Sequence, residues 1–209
     1  MAARIEQVVT SGVFSLDDQD FEVDNNVWLI GDDAEVVVVD PSHDPAAVEQ
    51  AVAGRRVTAV VCTHGHNDHV NGSVALGAAV GAPVLLNPAD RELWDQAHPG
   101  VEPGGELVDG QVLTVAGIEL HVLATPGHTW GSVSLHAPAL SAVFTGDTLF
   151  EGGPGATGRS FSDFPTIIAS IRDRLLTLPA ETVVYTGHGD RTTIGAEAPA
   201  LPAWIARGH

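Results

Sequence analysis

Two runs of β-branched residues bounded by turn residues, Glu35-Val-Val-Val-Val-Asp40 and Val57-Thr-Ala-Val-Val-Cys62, flank a segment that reads as a helix. That segment, Asp44 to Ala53, opens on an Asp cap, has Pro45 at its first helical position and is followed by Gly54. Strand, helix and strand in this order predict a β-α-β unit, and the runs themselves predict a sheet covered on both faces. Upstream, Val27-Trp-Leu-Ile30 reads as a strand of a meander. Downstream, Val112 to Val115, Ile118 to Ala124, Val133 to His136 and Ala142 to Thr145 are short strands joined by Gly-containing turns, which predicts antiparallel pairing. A helix from about Phe164 to Leu178 opens after Asp163, with Ile167, Ile168, Ile171, Leu175 and Leu178 on one face. A last strand, Thr182 to Thr186, runs into Gly-His-Gly. The sum is a layered α/β fold whose two halves share a loose pattern of strands followed by a helix.

The chain has 209 residues, 44% hydrophobic and 17% charged, enough to bury a core without disulfides, and a single domain over residues 1–209 is expected. Against 27 acidic residues stand 9 basic ones, all Arg, for a net charge of −18. No basic stripe exists to neutralise phosphates, so nucleic acids and anionic membrane surfaces are excluded as expected partners and a small-molecule substrate is favoured. The one cysteine, Cys62, requires no oxidising compartment. The N-terminus carries no apolar targeting core, and the apolar stretch from Val74 to Leu86 is broken by Gly77, Gly81 and Pro83 and is too short to span a bilayer. A soluble cytoplasmic protein is the expectation.

The chemistry is concentrated in His64-Gly-His66-Asn-Asp68-His69, directly after the strand that ends at Cys62-Thr63. Four potential ligands fall within six residues, far denser than a chance His-rich surface loop. In an extended loop, residues two apart point the same way, so His64 and His66 can share one metal while Asp68 and His69 turn toward another. Three further candidates follow strands and each follows a glycine: His128, Asp147 and His188. Taken singly each is an ordinary turn residue. Together with the first cluster they form a set of five imidazoles and two carboxylates, which suits zinc, with iron or manganese as substitutes. Two such cations would generate hydroxide near neutral pH and polarise a carbonyl.

From about Val27 to Gly189 the sequence resembles the metallo-β-lactamase superfamily, and within it the glyoxalase II-like metallohydrolases. The resemblance rests on Asp40 at a strand end, on His64-x-His66-x-Asp68-His69, and on His128, Asp147 and His188 in order. It implies a four-layer αββα sandwich with the site at one edge of two sheets. It also implies two divalent metal ions, one on His64, His66 and His128 and the other on Asp68, His69 and His188, bridged by Asp147 and a water. Asp68 would orient that water and take its proton. Asp40 would hydrogen-bond within the ligand loop rather than bind metal. Arg159, in Gly158-Arg-Ser160, is a candidate for positioning substrate or the loop. Tyr185, three residues before His188, is a second substrate-binding candidate, with strand packing as the favoured reading. The other histidines, His43, His98, His121, His136 and His209, read as structural or surface residues, and Cys62 as a buried strand residue.

Within the superfamily, β-lactam-hydrolysing enzymes generally carry Cys or Ser where Asp147 stands, RNA-processing members need a basic surface, and flavin-linked members need a further domain. The resemblance therefore implies thioester hydrolysis of small acyl conjugates of a low-molecular-weight thiol. It departs from full-length glyoxalase II after His188, where 21 residues remain and the helical domain that helps hold glutathione is missing. A different thiol, or a less selective enzyme, is the expectation. Pro199 to Trp204 would either close over the site or form a surface tail. Two alternatives stand: a persulfide dioxygenase-like enzyme with one iron on His64, His128 and Asp147, and a lactone hydrolase.

Overall fold

The computed structural model describes residues 2–17 and 19–208. Two six-stranded sheets lie face to face. The first contains β1 (Arg4–Leu16), β2 (Gln19–Gly31), β3 (Glu35–Val39), β4 (Arg56–Val61), β5 (Val84–Leu86) and β6 (Gly105–Glu106), side by side in that order. From β1 to β3 the pairing is antiparallel and from β3 to β6 parallel. The second is ordered β14 (Thr192–Thr193), β13 (Val183–Thr186), β10 (Ala142–Gly146), β9 (Val133–Ala137), β8 (Ile118–Ala124) and β7 (Val112–Val115). Its pairs are antiparallel except β10 with β13. A small hairpin, β11 (Leu149–Phe150) and β12 (Gly153–Pro154), stands apart.

Alternation along each strand assigns the layers. Trp28, Ile30, Val37, Val39, Ala59 and Val61 meet Leu120, Val122, Val133, Leu135 and Phe144 between the sheets. The opposite residues of the first sheet, Val27, Leu29, Val36, Val38, Val60 and Cys62, pack under α1 (Pro45–Val52), α2 (Asn67–Val70), α3 (Ser73–Val80) and α4 (Arg91–Ala97). Val143 and Val184 of the second sheet pack under α5 (Phe164–Ser170), α6 (Ile194–Glu197) and α7 (Leu201–Arg207). This is the expected αββα sandwich. In β4 the register against β3 slips at Thr58, which is why Val57 faces the helices while Ala59, two residues on, faces the second sheet.

The predicted β-α-β unit is β3, α1 and β4, with Asp44 accepting the cap hydrogen bond from Ala47 N at 3.0 Å. The long helix is present but changes character: Asp163 caps α5, and its continuation Ile171–Leu175 is a π-helical turn. The long hairpin β1–β2 was not legible, because most of its outer half is exposed and polar. No helix among the described residues is long and apolar enough to cross a membrane. His209 lies outside the described residues.

Candidate metal centre

Five strands deliver the predicted residues from their C-terminal ends: β3 leads to Asp40, β4 to His64, β8 to His128, β10 to Asp147 and β13 to His188. At this edge the sheets are tied together, with Val133 N donating to Thr63 O at 2.8 Å and Asn26 N to Gly187 O at 2.8 Å. The glycine before each later ligand has a local reason. Gly127 (φ 130°) and Gly146 (φ 49°) adopt positive φ, whereas Gly187 is needed for space, since a Cβ there would lie 2.2 Å from Asp147 Oδ1.

The motif divides in two, though not as a continuous extended loop. His66 is extended, and Asn67 to Val70 then form the single turn of α2, so the change from extended to helical backbone separates His64 and His66 from Asp68 and His69. His64 Nε2 and His128 Nε2 each lie 3.0 Å from His66 Nδ1. His69 Nε2 lies 3.2 Å from His188 Nε2 and 3.4 Å from Asp147 Oδ1. Asp68 Oδ2 is 3.3 Å from His188 Nε2, and Asp147 Oδ2 is 3.4 Å from His188 Nε2 and 3.6 Å from His128 Nε2. Three sets of three have ligand atoms within 4.8 Å of one another: His64, His66, His128; His64, His69, Asp147; and Asp68, His69, His188.

Outer hydrogen bonds determine what the inner atoms can do. Thr63 Oγ1 donates to Asp40 Oδ2 at 2.7 Å and so accepts from His64 Nδ1 at 3.1 Å. His69 Nδ1 donates to Asp40 Oδ2 (3.0 Å), His128 Nδ1 to Ala156 O (2.9 Å) and His188 Nδ1 to Asp24 O (2.8 Å). Each of these four rings therefore turns a bare Nε2 lone pair inward. Lone pairs converging at about 3 Å repel unless a cation or proton stands between them. In addition, Asp68 Oδ1, Asp147 Oδ1 and His66 Nε2 are buried without a hydrogen-bond partner. The donor set fits a divalent metal: imidazole and carboxylate, no thiolate, and outer-shell support on most rings.

In the metal-free protein, protons take part of that role. Burial pushes His69 and His188 down, but Asp147 and Asp68 outweigh it, raising His69 well above its ordinary value and His188 to about 10. Burial and neighbouring imidazoles lower His64 well below its ordinary value and His66 to about 3. Burial works against ionisation of Asp68, yet His69, His188 and Asn25 hold it at about 2. Asp147 is likewise held low against burial by His69 and His188.

A family model described as the metallo-beta-lactamase superfamily matches residues 21–188. The chain belongs to that superfamily. It is 31% identical over 193 residues to the hydroxyacylglutathione hydrolase GloC of Haemophilus influenzae, covering 85% of this chain and 91% of that one. It is also 31% identical to the probable metallo-hydrolase YqgX of Bacillus subtilis, covering 85% and 90%. Among solved structures it is similar to the BLEG-1 B3 metallo-beta-lactamase (TM-score 0.78, 28% identity, 93% and 99% covered) and to TTHA1623 in a di-iron-bound form (0.75, 33%, 84% and 93%). ETHE1 from Myxococcus xanthus is comparably similar (0.73, 29%, 93% and 83%). Membership places the chain among metallo-hydrolases that bind divalent metals.

The structure of this superfamily member brings His64, His66, Asp68, His69, His128, Asp147 and His188 into one cluster, with Asp40 hydrogen-bonded to Thr63 and His69. Arg159 holds a loop: it donates to Gln19 Oε1 at 3.0 Å and lies 5.0 Å over the Phe21 ring, joining the segment after β12 to the β1–β2 hairpin. Tyr185 takes the strand-packing place. Alternation along β13 turns its ring between the sheets, 5.0 Å from Trp28 and 4.9 Å from Phe144, away from the histidines. The tail reading is corrected, since Trp204 is buried behind the second sheet.

Sequence reasoning missed Asn25, whose Nδ2 donates to Asp68 Oδ2 at 3.0 Å. Its Oδ1 accepts from His43 Nε2 at 2.9 Å, because Asn71 Nδ2 occupies the other ring nitrogen at 3.0 Å. His43 thus serves the site from one residue away. The only sequence signal was a polar Asn25-Asn26 pair leading into an apolar strand.

Proposed function

We propose that this chain is a glyoxalase II-like thioester hydrolase, cleaving small acyl conjugates of a low-molecular-weight thiol with two divalent ions, zinc by preference and iron or manganese as substitutes. The observation that carries the reading is Asp147. Its Oδ1 lies 3.4 Å from His69 Nε2, and its Oδ2 lies 3.4 Å from His188 Nε2 and 3.6 Å from His128 Nε2, so one carboxylate reaches imidazoles of both halves of the cluster. One ion would be held by His64, His66 and His128 and the other by Asp68, His69 and His188, with Asp147 between them. Bound there, the ions would supply Lewis acidity toward a carbonyl and lower the pKa of a coordinated water.

The chain's own residues supply the rest. Asn25 occupies Asp68 Oδ2 and leaves Oδ1 free and buried, and a carboxylate held at about 2 stays ionised at working pH. As an ionised acceptor Asp68 would orient the attacking water, and, being a weak base, it would pass the water's proton on to the departing thiolate as the acyl carbon gains oxygen and loses sulfur. Cys62 is no nucleophile: it is fully buried beneath the helices and burial pushes its thiol up. The relation to GloC supports this substrate class, and a persulfide dioxygenase-like enzyme with one iron on His64, His128 and Asp147 stands as the competing reading.

The test is thiol release from a panel of acyl-thioesters, with a lactone and a β-lactam alongside, by zinc-loaded protein and its His66→Ala variant. Release from a thioester that falls at least a hundredfold in the variant is expected. Turnover of the β-lactam or lactone alone would overturn the assignment, as would oxygen consumption with a persulfide by iron-loaded protein in the absence of thioesterase activity.

A further inference from the structure

Asp90 takes no part in the cluster, yet it is 2% exposed and sits where two ligand loops meet, at the N-terminus of α4. Its Oδ2 accepts from Gly65 N at 2.8 Å and from Thr129 Oγ1 at 2.6 Å, and its Oδ1 accepts from Gly131 N at 2.6 Å. Gly65 stands between His64 and His66, and Thr129 follows His128 directly. One carboxylate therefore spans the two loops that bring His64 Nε2, His66 Nδ1 and His128 Nε2 to 3.0 Å. Both glycines are shaped to it. A Cβ on Gly131 would lie 2.6 Å from Asp90 Cγ, and one on Gly65 would lie 3.0 Å from Asp90 Cβ and 2.8 Å from Leu93 Cβ.

We propose that Asp90 is a positioning residue for the metal group of His64, His66 and His128, fixing the separation of the two loops rather than touching metal or substrate. This rests on the reading that those three histidines hold an ion. All three of its partners are donors, so only a group that accepts on both oxygens satisfies them. An Asp90→Asn side chain keeps the shape but must turn an amide N–H toward a donor, which opens one loop relative to the other.

The experiment titrates metal-free protein with Co(II) against a competing chelator and follows the visible Co(II) bands, comparing wild type, His128→Ala, Asp90→Asn, Thr129→Val and Thr129→Ser. The expected result is that Asp90→Asn weakens one equivalent about 10–100-fold, as loss of outer-shell partners does. The weakened equivalent is the one, with the band, that His128→Ala loses, and the other equivalent is unchanged. Thr129→Val loses less, and Thr129→Ser binds as wild type. If Asp90→Asn does not fold, the Val and Ser pair at Thr129 decides. Asp90→Asn and Thr129→Val that bind both equivalents with wild-type affinity, while the metal-free chain merely unfolds at lower temperature, would overturn the proposal. Wild type and His128→Ala binding alike would overturn the three-histidine reading itself, and that comparison does not involve Asp90.

Discussion

At the scale of single residues, the two halves of the cluster meet a metal in different protonation states. Burial and neighbouring imidazoles hold His64 and His66 toward the neutral form, whereas Asp147 and Asp68 favour a proton on the facing pair His69 and His188, whose Nε2 atoms lie 3.2 Å apart. Filling the group of Asp68, His69 and His188 must therefore displace protons. Its apparent affinity should rise about tenfold per pH unit for each proton displaced, up to about pH 10. Calorimetric titration in buffers of different ionisation enthalpy checks this: proton release at one equivalent is expected, and none at either equivalent contradicts the account. The same pairs give the metal-free protein a pH window. A raised histidine stabilises the fold below its ordinary value, and for His188 this is lost as pH rises through about 10. The lowered Asp68 stabilises it above the ordinary carboxylate range, and this is lost as pH falls toward about 2.

At the scale of elements, the helices behind the second sheet act on the centre through the β11–β12 hairpin. Glu197 of α6 accepts from Gly152 N at 3.1 Å, and Trp204 of α7 is buried in the core cluster that includes Leu149. Ala156 O, just beyond β12, accepts the hydrogen bond from His128 Nδ1. Trp204→Ala should cost about 3–5 kcal/mol by chemical denaturation and weaken metal binding in the same protein. Lost stability with unaltered metal affinity would show that the hairpin is not the link. Legibility differed between elements for a physical reason. The double-sided apolar runs of β3 and β4 announce a covered sheet, but β1 is held by pairing with β2 along all of its 13 residues; its burial alternates from Gln7 to Leu16, yet Thr10 and Gly12 lie on the covered face while Val9 and Val13 are exposed, so no apolar alternation marks it in the sequence. The short α2 is fixed by the strand end and the layers above it, and four residues carry no periodicity of their own.

At the scale of the whole molecule, the centre was legible where ligands crowd into one stretch and illegible where support arrives from afar. His64 to His69 stand out by density alone. Asn25 reaches Asp68 across 43 positions, and Asp90 reaches Gly65 and Gly131 across 25 and 41, each looking in the sequence like an ordinary strand or cap residue. Both sheets and both outer helix layers converge on this edge, so metal binding should be linked to the stability of the fold as a whole. The most direct test is to titrate metal-free protein with zinc while recording thiol release from a reactive acyl-thioester and the unfolding temperature together. Activity that is absent without metal and saturates at two equivalents, with the unfolding temperature rising in step, is the predicted result. Activity in the metal-free protein, or full activity at one equivalent, would contradict it.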